Sequence, residues 1–346
     1  MSFSNFSTEP DLQALFSDTT EDYVCPAQPD LYEMVRIRLR VGRWDGLNCF
    51  LVLENNTFLR MRPTESDDLF TWFEVRFEVT RKPLRYYFEV VADGRRYRYT
   101  RRGVRNTVRP ADWWHIVPGF HTPVWAEGAV MYQIFTDRFA NGDPSNDPVE
   151  GEYTDGTGVP CRRAAWDEPV REGDFNCYYG GDLQGIIDHL DYLRELGVDV
   201  IYLNPVFVAP SSHKYNTQDY EHVDPHLGVI LKDAEGYDRY GIRTTSPENL
   251  SASDALLAQL IGKAHAAGMR VVLDGVFNHC GDFHKWMDRY GIYKNYTGKV
   301  GAWWDSGCEY ASYFRFNGYH EYECWWDNET LPKLNTDGSE KLREEI

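Results

Sequence analysis

The sequence predicts a multi-domain chain in which an N-terminal β-sandwich is followed by an incomplete α/β (TIM-type) barrel. Two observations support this prediction. Short runs of β-branched and aromatic residues dominate residues 1–125, whereas amphipathic helices alternate with apolar strands in residues 126–346. The charge also changes there: residues 1–125 hold 17 basic and 17 acidic side chains, and the remainder holds 19 and 37, which is the whole net charge of −18.

Strands of the sandwich are predicted at residues 32–41, 69–79, 84–92 and 95–101, where β-branched and aromatic residues alternate or cluster. Asp93-Gly94 separates the last two runs and is typical of a two-residue hairpin turn. Short strands at regular spacing, with almost no helical period between them, favour a sandwich.

A group of arginines follows this hairpin and allows three interpretations. It is a nucleic-acid or anion patch, a solvated sheet face balanced by nearby carboxylates, or an interface with a partner. The even charge balance of residues 1–125 favours the solvated face. The arginines are Arg95, Arg96, Arg98, Arg101, Arg102, Arg105 and Arg109.

The second segment repeats a helix, a glycine and an apolar strand. The first helix is predicted at 182–197, with Asp182 as its N-cap and Gly197 as its left-handed end, and the second at 251–268, which ends at Gly268. Strands are expected directly after each, and an earlier one at 129–135. The apolar helix positions are Leu183, Ile186, Ile187, Leu190, Leu193 and Leu196, then Leu256, Leu257, Leu260, Ile261 and Ala264.

This pattern is shared by doubly wound sheets and eight-stranded barrels. No G-x-G-x-x-G follows a strand and no G-x-x-x-x-G-K-[ST] occurs, so nucleotide binding loses its main support. Polar residues instead follow the strands: Asn204 follows one, and Asp274, Asn278 and His279 follow another. Active sites of parallel barrels lie at that end, which favours a catalytic barrel.

Composition limits the classes of partner. No apolar run reaches the roughly 18 residues of a membrane span, and the N-terminus lacks a secretory signal pattern. Seven cysteines without a C-x-x-C pair indicate reduced thiols, so we expect a cytoplasmic protein without membrane contact. The acidic second segment argues against nucleic acid as a partner.

Three loops carry candidate chemistry. Asn141, Asp143, Asn146 and Asp147 offer side-chain oxygens that suit calcium, although turns select the same residues for backbone reasons. Tyr215 is flanked by polar groups, which fits either a platform for a sugar ring or ordinary packing. The run 279–284 lacks standard zinc spacing, and Asp282 is expected to cap the next helix.

Several motifs resemble the alpha-amylase superfamily of glycoside hydrolases. The stretch 272–279 (VLDGVFNH) is similar to a signature of that family, and 129–139 with NGDPSNDP resembles its first strand and calcium loop. Gly180-Gly181-Asp182-Leu183 and the loop HKYNTQDY also match. LPKLN (331–335) is similar to the marker of the neopullulanase, cyclomaltodextrinase and maltogenic amylase branch, which also carries an N-terminal β-sandwich.

The resemblance implies roles for particular residues. Tyr215 would stack under the sugar beside the cleaved bond, and His279 would hydrogen-bond that sugar's primary hydroxyl. Asp274, with Asn278 beside it, would be a structural carboxylate of the active site that pairs with an arginine near the nucleophile. The implied calcium ligands are Asn141, Asp143, Asn146, Asp147, Gly181 and Asp182.

The implied reaction is retaining hydrolysis of α-1,4, and in some members α-1,6, linkages in maltooligosaccharides, cyclodextrins or pullulan. It needs a carboxylate nucleophile and a carboxylic acid about 5 Å apart. No Arg-x-Asp occurs at a strand end of residues 126–346, so both groups are expected beyond Ile346. We therefore expect an N-terminal portion of such an enzyme, inactive as given, with calcium bound and a homodimer formed through the sandwich. The alternative is a non-catalytic α-glucan-binding or subunit-interaction protein.

Overall fold

The computed structural model describes residues 10–44 and 46–346, which form two compact units, one reaching to Glu127 and one running from Gly128 to Ile346. Short 3-10 helices of the first unit lie at Leu12–Ala14, Pro110–Asp112 and Val124–Ala126. Its strands are β1 (Val24–Cys25), β2 (Met34–Gly42), β3 (Asn48–Leu53), β4 (Phe58–Arg60), β5 (Arg62–Ser66), β6 (Phe70–Glu78), β7 (Leu84–Ala92), β8 (Arg95–Thr100), β9 (Gly103–Arg105) and β10 (Trp114–Ile116).

The first unit is a sandwich of two antiparallel sheets. One sheet has the order β1-β2-β6-β5, and the other has the order β4-β3-β7-β8-β9 with β10 paired to β7. Alternate residues of β2, from Val35 to Val41, are buried, as the period of a half-buried strand requires. They share one core with Leu51, Phe88 and Trp114 of the second sheet. The predicted β-sandwich is confirmed.

The hairpin between β7 and β8 turns at the predicted residues. Ala92 pairs with Arg95, and both Asp93 and Gly94 have positive φ angles (47° and 79°), as a two-residue turn of this kind requires. Four of the arginines in the group that follows are seen with carboxylate partners. Glu89 pairs with Arg96 at 3.0 Å and Arg98 at 3.7 Å, and Asp112 pairs with Arg102 at 3.8 Å and Arg109 at 3.3 Å. These pairs support the interpretation of a balanced, solvated face.

The second unit contains strands and helices in alternation. Its 3-10 helices lie at Thr136–Arg138, Gly236–Asp238, Ala311–Tyr313 and Trp325–Asp327. Its helices are α1 (Leu183–Asp188), α2 (Leu190–Glu195), α3 (Arg239–Thr245), α4 (Pro247–Ala266), α5 (Ile292–Tyr296) and α6 (Glu340–Glu345). Its strands are β11 (Met131–Ile134), β12 (Arg162–Arg163), β13 (Cys177–Tyr178), β14 (Val200–Leu203), β15 (Phe207–Val208), β16 (Asp219–Val223), β17 (Arg270–Leu273), β18 (Phe316–Gly318) and β19 (Glu321–Tyr322).

The three predicted βα strands form one parallel sheet in the order β11-β14-β17. Tyr132 pairs with Ile201, which pairs with Val271, so the strands are in register and their carboxyl ends lie together. Helix residues such as Leu193 and Leu260 pack in one core with Ile201. Over the residues that the structure describes, this sheet does not close into a barrel. The barrel therefore remains a prediction, and the parallel sheet is what the structure provides.

The helix predicted at 182–197 is two short helices, α1 and α2, which meet at His189. The imidazole Nδ1 of His189 lies 2.8 Å from the carbonyl of Gly185, the group that a continuous helix would use for a backbone bond. Asp182 caps α1 and accepts from the Gly185 N–H, as predicted. Gly197 is left-handed, as predicted. Leu196 was expected on the buried face but is 53% exposed, because α2 ends at Glu195 and Leu196 already belongs to the turn.

Two further boundaries differ from the prediction. Helix α4 begins at Pro247, four residues before the predicted start, because proline fits the first helical position. Asp282 was expected to cap the following helix, and this is wrong. Asp288 accepts the N–H groups of Tyr293 and Lys294 at the start of α5, whereas buried Asp282 accepts from a tyrosine hydroxyl.

In the described part of the chain, no helix combines the length and the apolar character needed to cross a membrane. All seven cysteines are free thiols, three of them half-buried and the others buried. Burial raises the pKa of the Cys161 thiol to about 12, with the Glu152 carboxylate adding to the shift, so this thiol is unreactive at neutral pH.

A chain of buried ion pairs joins the loops of the second unit. Lys214 Nζ contacts Asp224, whose second oxygen lies 2.8 Å from His226 Nδ1. The other imidazole nitrogen lies 2.9 Å from Glu152, and Glu152 lies 3.0 Å from Arg243. Burial opposes the charged imidazolium, but the two carboxylates outweigh it and raise the pKa of His226 to about 9.

We expect the stability of this unit to fall as the pH rises through the pKa of His226. The folded pKa is above the unfolded value of 6.5, so the charge stabilises fully below pH 6.5 and its contribution is lost towards pH 9. The free energy of unfolding should fall with a slope that approaches about 1.4 kcal/mol per pH unit in that window. Titration of the His226 ring protons by NMR, beside urea unfolding, measures both quantities. A ring titration midpoint at or below 6.5 would contradict the assignment.

Candidate functional site

Tyr215 and Asp274 meet at the carboxyl end of the parallel sheet. Tyr215 lies in the loop between β15 and β16, and Asp274 directly follows β17. The Tyr215 hydroxyl donates to Asp274 Oδ2 at 2.8 Å. Burial raises the pKa of Tyr215 to about 12, and the hydrogen bond to Asp274 adds to the shift, so the phenol stays protonated. The carboxylate that ends an apolar strand therefore has a donor, as its position required.

Two neutral imidazoles lie beside this pair. The Nδ1 atom of His213 accepts the Tyr215 N–H at 3.0 Å, and the two rings stack at 5.9 Å. Burial lowers the pKa of His213 to about 4, with the nearby Lys214 and Arg138 charges acting in the same direction. Burial also lowers the pKa of His279. Uncharged imidazoles can donate to or accept from neutral hydroxyl groups.

His279 is held between two elements. Its ring stacks on Trp325 at 4.5 Å with an interplanar angle of 11°. Its Nε2 atom is buried and has no hydrogen-bond partner among the described residues. Asn278 lies beside it, with Nδ2 at 3.3 Å from His279 Nδ1. The imidazole thus offers one free polar atom at the site.

The LPKLN segment pairs with the end of the β17 loop. The N–H of Leu334 donates to the Asn278 carbonyl at 3.0 Å, and His279 and Lys333 form an antiparallel bridge. The N–H of Cys280 donates to the Pro332 carbonyl at 3.1 Å. Two motifs that are about fifty residues apart in the sequence therefore form one backbone ladder beside His279.

Tyr202 and Trp325 also belong to this site, although neither was predicted. Tyr202 lies on β14 and pairs in register with Val272. Burial raises the pKa of Tyr202, and the nearby Asp274 carboxylate adds to the shift. The signal for Tyr202 was available: Val272 and Asp274 are two residues apart and face the same side of the sheet. Trp325 has no such signal, because the 3-10 turn that aims its ring is irregular.

The loop 141–147 is tied to the start of α1 by one carboxylate. Fully buried Asp182 accepts from the N–H of Gly142 at 3.1 Å and of Asp143 at 2.8 Å, besides capping α1. It also accepts from Asn146 Nδ2 at 3.1 Å. A Cβ on Gly142 would lie 2.4 Å from the N atom of Gly185, so only glycine fits this close approach.

Oxygen atoms in this loop lack donors. Asn141 Oδ1 and Asn146 Oδ1 are buried and have no hydrogen-bond partner in the described structure, because the amide nitrogens already donate to Asp147, Asp182 and the Gly228 carbonyl. Burial raises the pKa of Asp147, and the neighbouring Asp182 and Asp143 carboxylates act in the same direction. Arg163 opposes them through an ion pair of 2.6 Å.

The predicted calcium residues are thus brought together, and their donor set fits a hard cation. Three carboxylates and two orphaned amide oxygens are the ligand types that calcium prefers. Gly180 has a φ of 87°, and a Cβ there would lie 2.4 Å from Asp147 Oδ1. Gly181 packs against the backbone of Thr136 and Asp137, with its N–H on the Asp137 carbonyl. The missing side chain of Gly180 therefore leaves room for the Asp147 carboxylate.

The matching family models and the named relatives agree on one protein family. Residues 133–345, more than half of the chain, match the family model described as the alpha amylase catalytic domain, and residues 11–123 match the alpha amylase N-terminal Ig-like domain. An amylopullulanase of Thermoanaerobacterium saccharolyticum is 33% identical over 333 residues, which is 87% of this chain and 23% of the relative.

A cyclomaltodextrinase of Thermoanaerobacter pseudethanolicus is 32% identical over 346 residues, covering 95% of this chain and 52% of the relative. The solved type III pullulan hydrolase of Thermococcus kodakarensis superposes with a TM-score of 0.54 at 26% identity, over 95% of this chain and 52% of that one. The chain thus spans about half or less of the length of the relatives that it matches. The chain belongs to the alpha-amylase family of glycoside hydrolases, with the N-terminal Ig-like domain followed by catalytic-domain sequence.

Proposed function

We propose that the cluster of Tyr215, Asp274 and His279 binds one glucosyl unit of an α-glucan at the site of a retaining hydrolase. The observation that carries this proposal is the half-buried Tyr215 ring, which Asp274 fixes through a hydrogen bond and which stacks on the imidazole of His213. An aromatic face suits the apolar face of a sugar ring, and the free Nε2 of His279 suits a hydroxyl. The substrate is uncharged, so neutral donors do not need a counter-charge.

The described residues bind and orient the sugar. Retaining hydrolysis needs two carboxyl groups about 5 Å apart on either side of the glycosidic oxygen. Asp274 is held by Tyr215, which fits a positioning role better than attack on the sugar. We therefore propose that these residues bind and orient the substrate and that this chain alone does not turn it over.

The proposed substrates are maltooligosaccharides, cyclodextrins and pullulan, cleaved at α-1,4 and in part α-1,6 linkages. Support comes from the relatives, which are named as an amylopullulanase, a cyclomaltodextrinase and a pullulan hydrolase. We also propose a cytoplasmic location, which the free cysteines support, and a homodimer through the sandwich, as the family resemblance implies. The alternative proposal is a non-catalytic α-glucan-binding or subunit-interaction protein, for which sugar binding without turnover is also expected.

We propose that calcium binds the loop 141–147 together with Gly181 and Asp182. A bound cation would supply positive charge among three carboxylates. Asn141, Asn146 and Asp147 would present their oxygens to it, while Asp182 keeps the loop on the N-terminus of α1.

Replacing Tyr215 tests the binding site. Tyr215→Ala should weaken maltohexaose binding at least about tenfold by isothermal titration calorimetry, because an aromatic anchor contributes more than about 1 kcal/mol. Tyr215→Phe keeps the ring and should retain most of the affinity. Tyr237→Ala, which removes a tyrosine that is 86% exposed, is the matched control. Equal affinity of Tyr215→Ala and the control would exclude Tyr215 as the platform.

Catalysis is tested on the chain as it stands. We expect no release of reducing sugar from β-cyclodextrin, pullulan or nitrophenyl maltoside above the buffer rate, because Asp274 is the one carboxyl group that we place in the cluster and retaining hydrolysis needs two. Any turnover that Asp274→Asn abolishes would show that the chain carries its own catalysts.

Calcium is tested by thermal unfolding. Millimolar calcium should raise the melting temperature relative to EGTA, because a ligand that binds only the folded state stabilises it. Asp147→Asn should remove this difference, whereas Asp191→Asn, at a side chain that is 81% exposed, should keep it. Identical melting curves in calcium and EGTA would refute the site.

A further inference from the structure

Lys214, directly before Tyr215, is buried in an unusual backbone conformation. Its side chain is 1% exposed and its φ is 62°, in the left-handed region that residues other than glycine, asparagine and aspartate rarely adopt. The Nζ atom donates to Asp224 Oδ2 and to the Ala209 carbonyl at 3.0 Å. It also lies 5.2 Å from the centre of the Tyr178 ring. The lysine therefore acts as an anchor that points inward.

This conformation decides where the next side chain goes. The Lys214 ammonium is directed into the interior of the unit, whereas the Tyr215 ring is directed to Asp274. The left-handed φ of Lys214 makes the chain turn at this residue instead of continuing as an extended segment, and so sets the direction in which Tyr215 leaves the backbone. Ser211 supports the turn by accepting the Lys214 N–H at 3.1 Å.

Asp224 is itself fixed from two sides. Its Oδ2 atom accepts from Lys214 and from the Ala209 N–H at 3.0 Å, and its Oδ1 atom pairs with His226. Both imidazole nitrogens of His226 face carboxylates, Asp224 and Glu152, so the ring is the doubly protonated imidazolium. The Tyr240 ring stacks on it at 6.1 Å.

We propose that Lys214, Asp224 and His226 are positioning residues that set the sugar platform: the buried ion pairs hold Lys214 in its left-handed conformation and so aim Tyr215 at Asp274. The proposal rests on the proposed sugar binding by Tyr215. None of the three residues needs to touch the sugar. A buried charge that loses its partner is strongly unfavourable, so breaking one pair drives the loop to rearrange.

The neighbouring charges are balanced when the imidazolium is present. Lys214, His226 and Arg243 face Asp224, Glu152 and Asp233, and each contact is 3.0 Å or shorter. Loss of the His226 proton leaves Asp224 with one cationic partner, Lys214. The platform should therefore loosen above about pH 9, whereas the Tyr215 phenol, with its pKa of about 12, stays protonated there.

The experiment compares two replacements of Lys214 in the full chain. Lys214→Met removes the charge and disfavours the left-handed backbone, whereas Lys214→Asn removes the charge but tolerates that backbone. We expect both variants to melt at lower temperature. Maltohexaose affinity should fall at least tenfold in Lys214→Met. The loss of affinity in Lys214→Asn should be smaller than that in Lys214→Met by a factor of at least three. His222→Gln, which breaks the part-exposed pair of His222 with Asp254, should leave affinity unchanged.

The ring position is measured separately by fluorine NMR of the chain labelled with 3-fluorotyrosine, with the Tyr215 signal assigned from Tyr215→Phe. In Lys214→Met this signal should move towards that of an exposed tyrosine. An unmoved signal in a destabilised variant overturns the proposal.

If the unsubstituted chain does not bind maltohexaose, the proposed function fails, but the fluorine signal of Tyr215 still decides the positioning role. If the variants do not fold, the proton NMR signals of the Tyr215 ring in the unlabelled, unsubstituted chain, followed from pH 7 to 10, decide it: movement near pH 9 supports the proposal, and a constant position overturns it.

Discussion

The in-register pairing of three parallel strands is the constraint on which the candidate site depends. Because β11, β14 and β17 end at the same level, the loops that follow them meet at one edge of the sheet. Asp274 then needs no long connection to reach Tyr215, and Gln133 on β11 reaches Asn204 after β14 at 2.7 Å. A slip of one strand by one residue would turn Asp274 to the opposite face and remove the partner of Tyr215.

Around this edge of the sheet, the loops are held by single polar side chains rather than by regular secondary structure. Asp182 holds four N–H groups of the loop 141–147 and of α1, and Asp224 holds the loop that presents Tyr215. Each of these carboxylates is fully buried and fully used. Long connections can therefore be ordered without adding strands, which leaves the aromatic and amide groups between them available for ligands.

Local signals made much of this structure predictable. Asp93-Gly94, the Asp182 cap and the two glycines that end helices follow from residue chemistry over a few positions, and the structure agrees with them. The errors in these elements occur at helix boundaries, which residue spacing alone does not fix. Leu196 became exposed because the helix ended one residue early, and the His189 ring displaced a backbone bond.

In the candidate site, too, some residues could be identified from the sequence and others could not. Tyr215, Asp274 and His279 were found through motifs, and their contacts then followed from the sheet. Lys214 and His226 gave no signal, because a lysine or a histidine in a loop ordinarily faces solvent. Asp224 is ten residues from Lys214, and Glu152, one of the two carboxylates that face His226, is 74 residues from it, so no local pattern identifies these side chains as buried.

The buried charges also determine how the second unit folds. Glu152 meets His226 and Arg243, which come 74 and 91 residues later, and Arg243 reaches back to the carbonyl of Asp147 over 96 residues. Before Arg243 is in place, some of these charged side chains would lose their hydration without gaining an ion pair. In a partly folded unit they therefore remain in contact with water. The segment 147–243 should therefore fold in one cooperative step late in folding. It should unfold as a whole rather than one loop at a time.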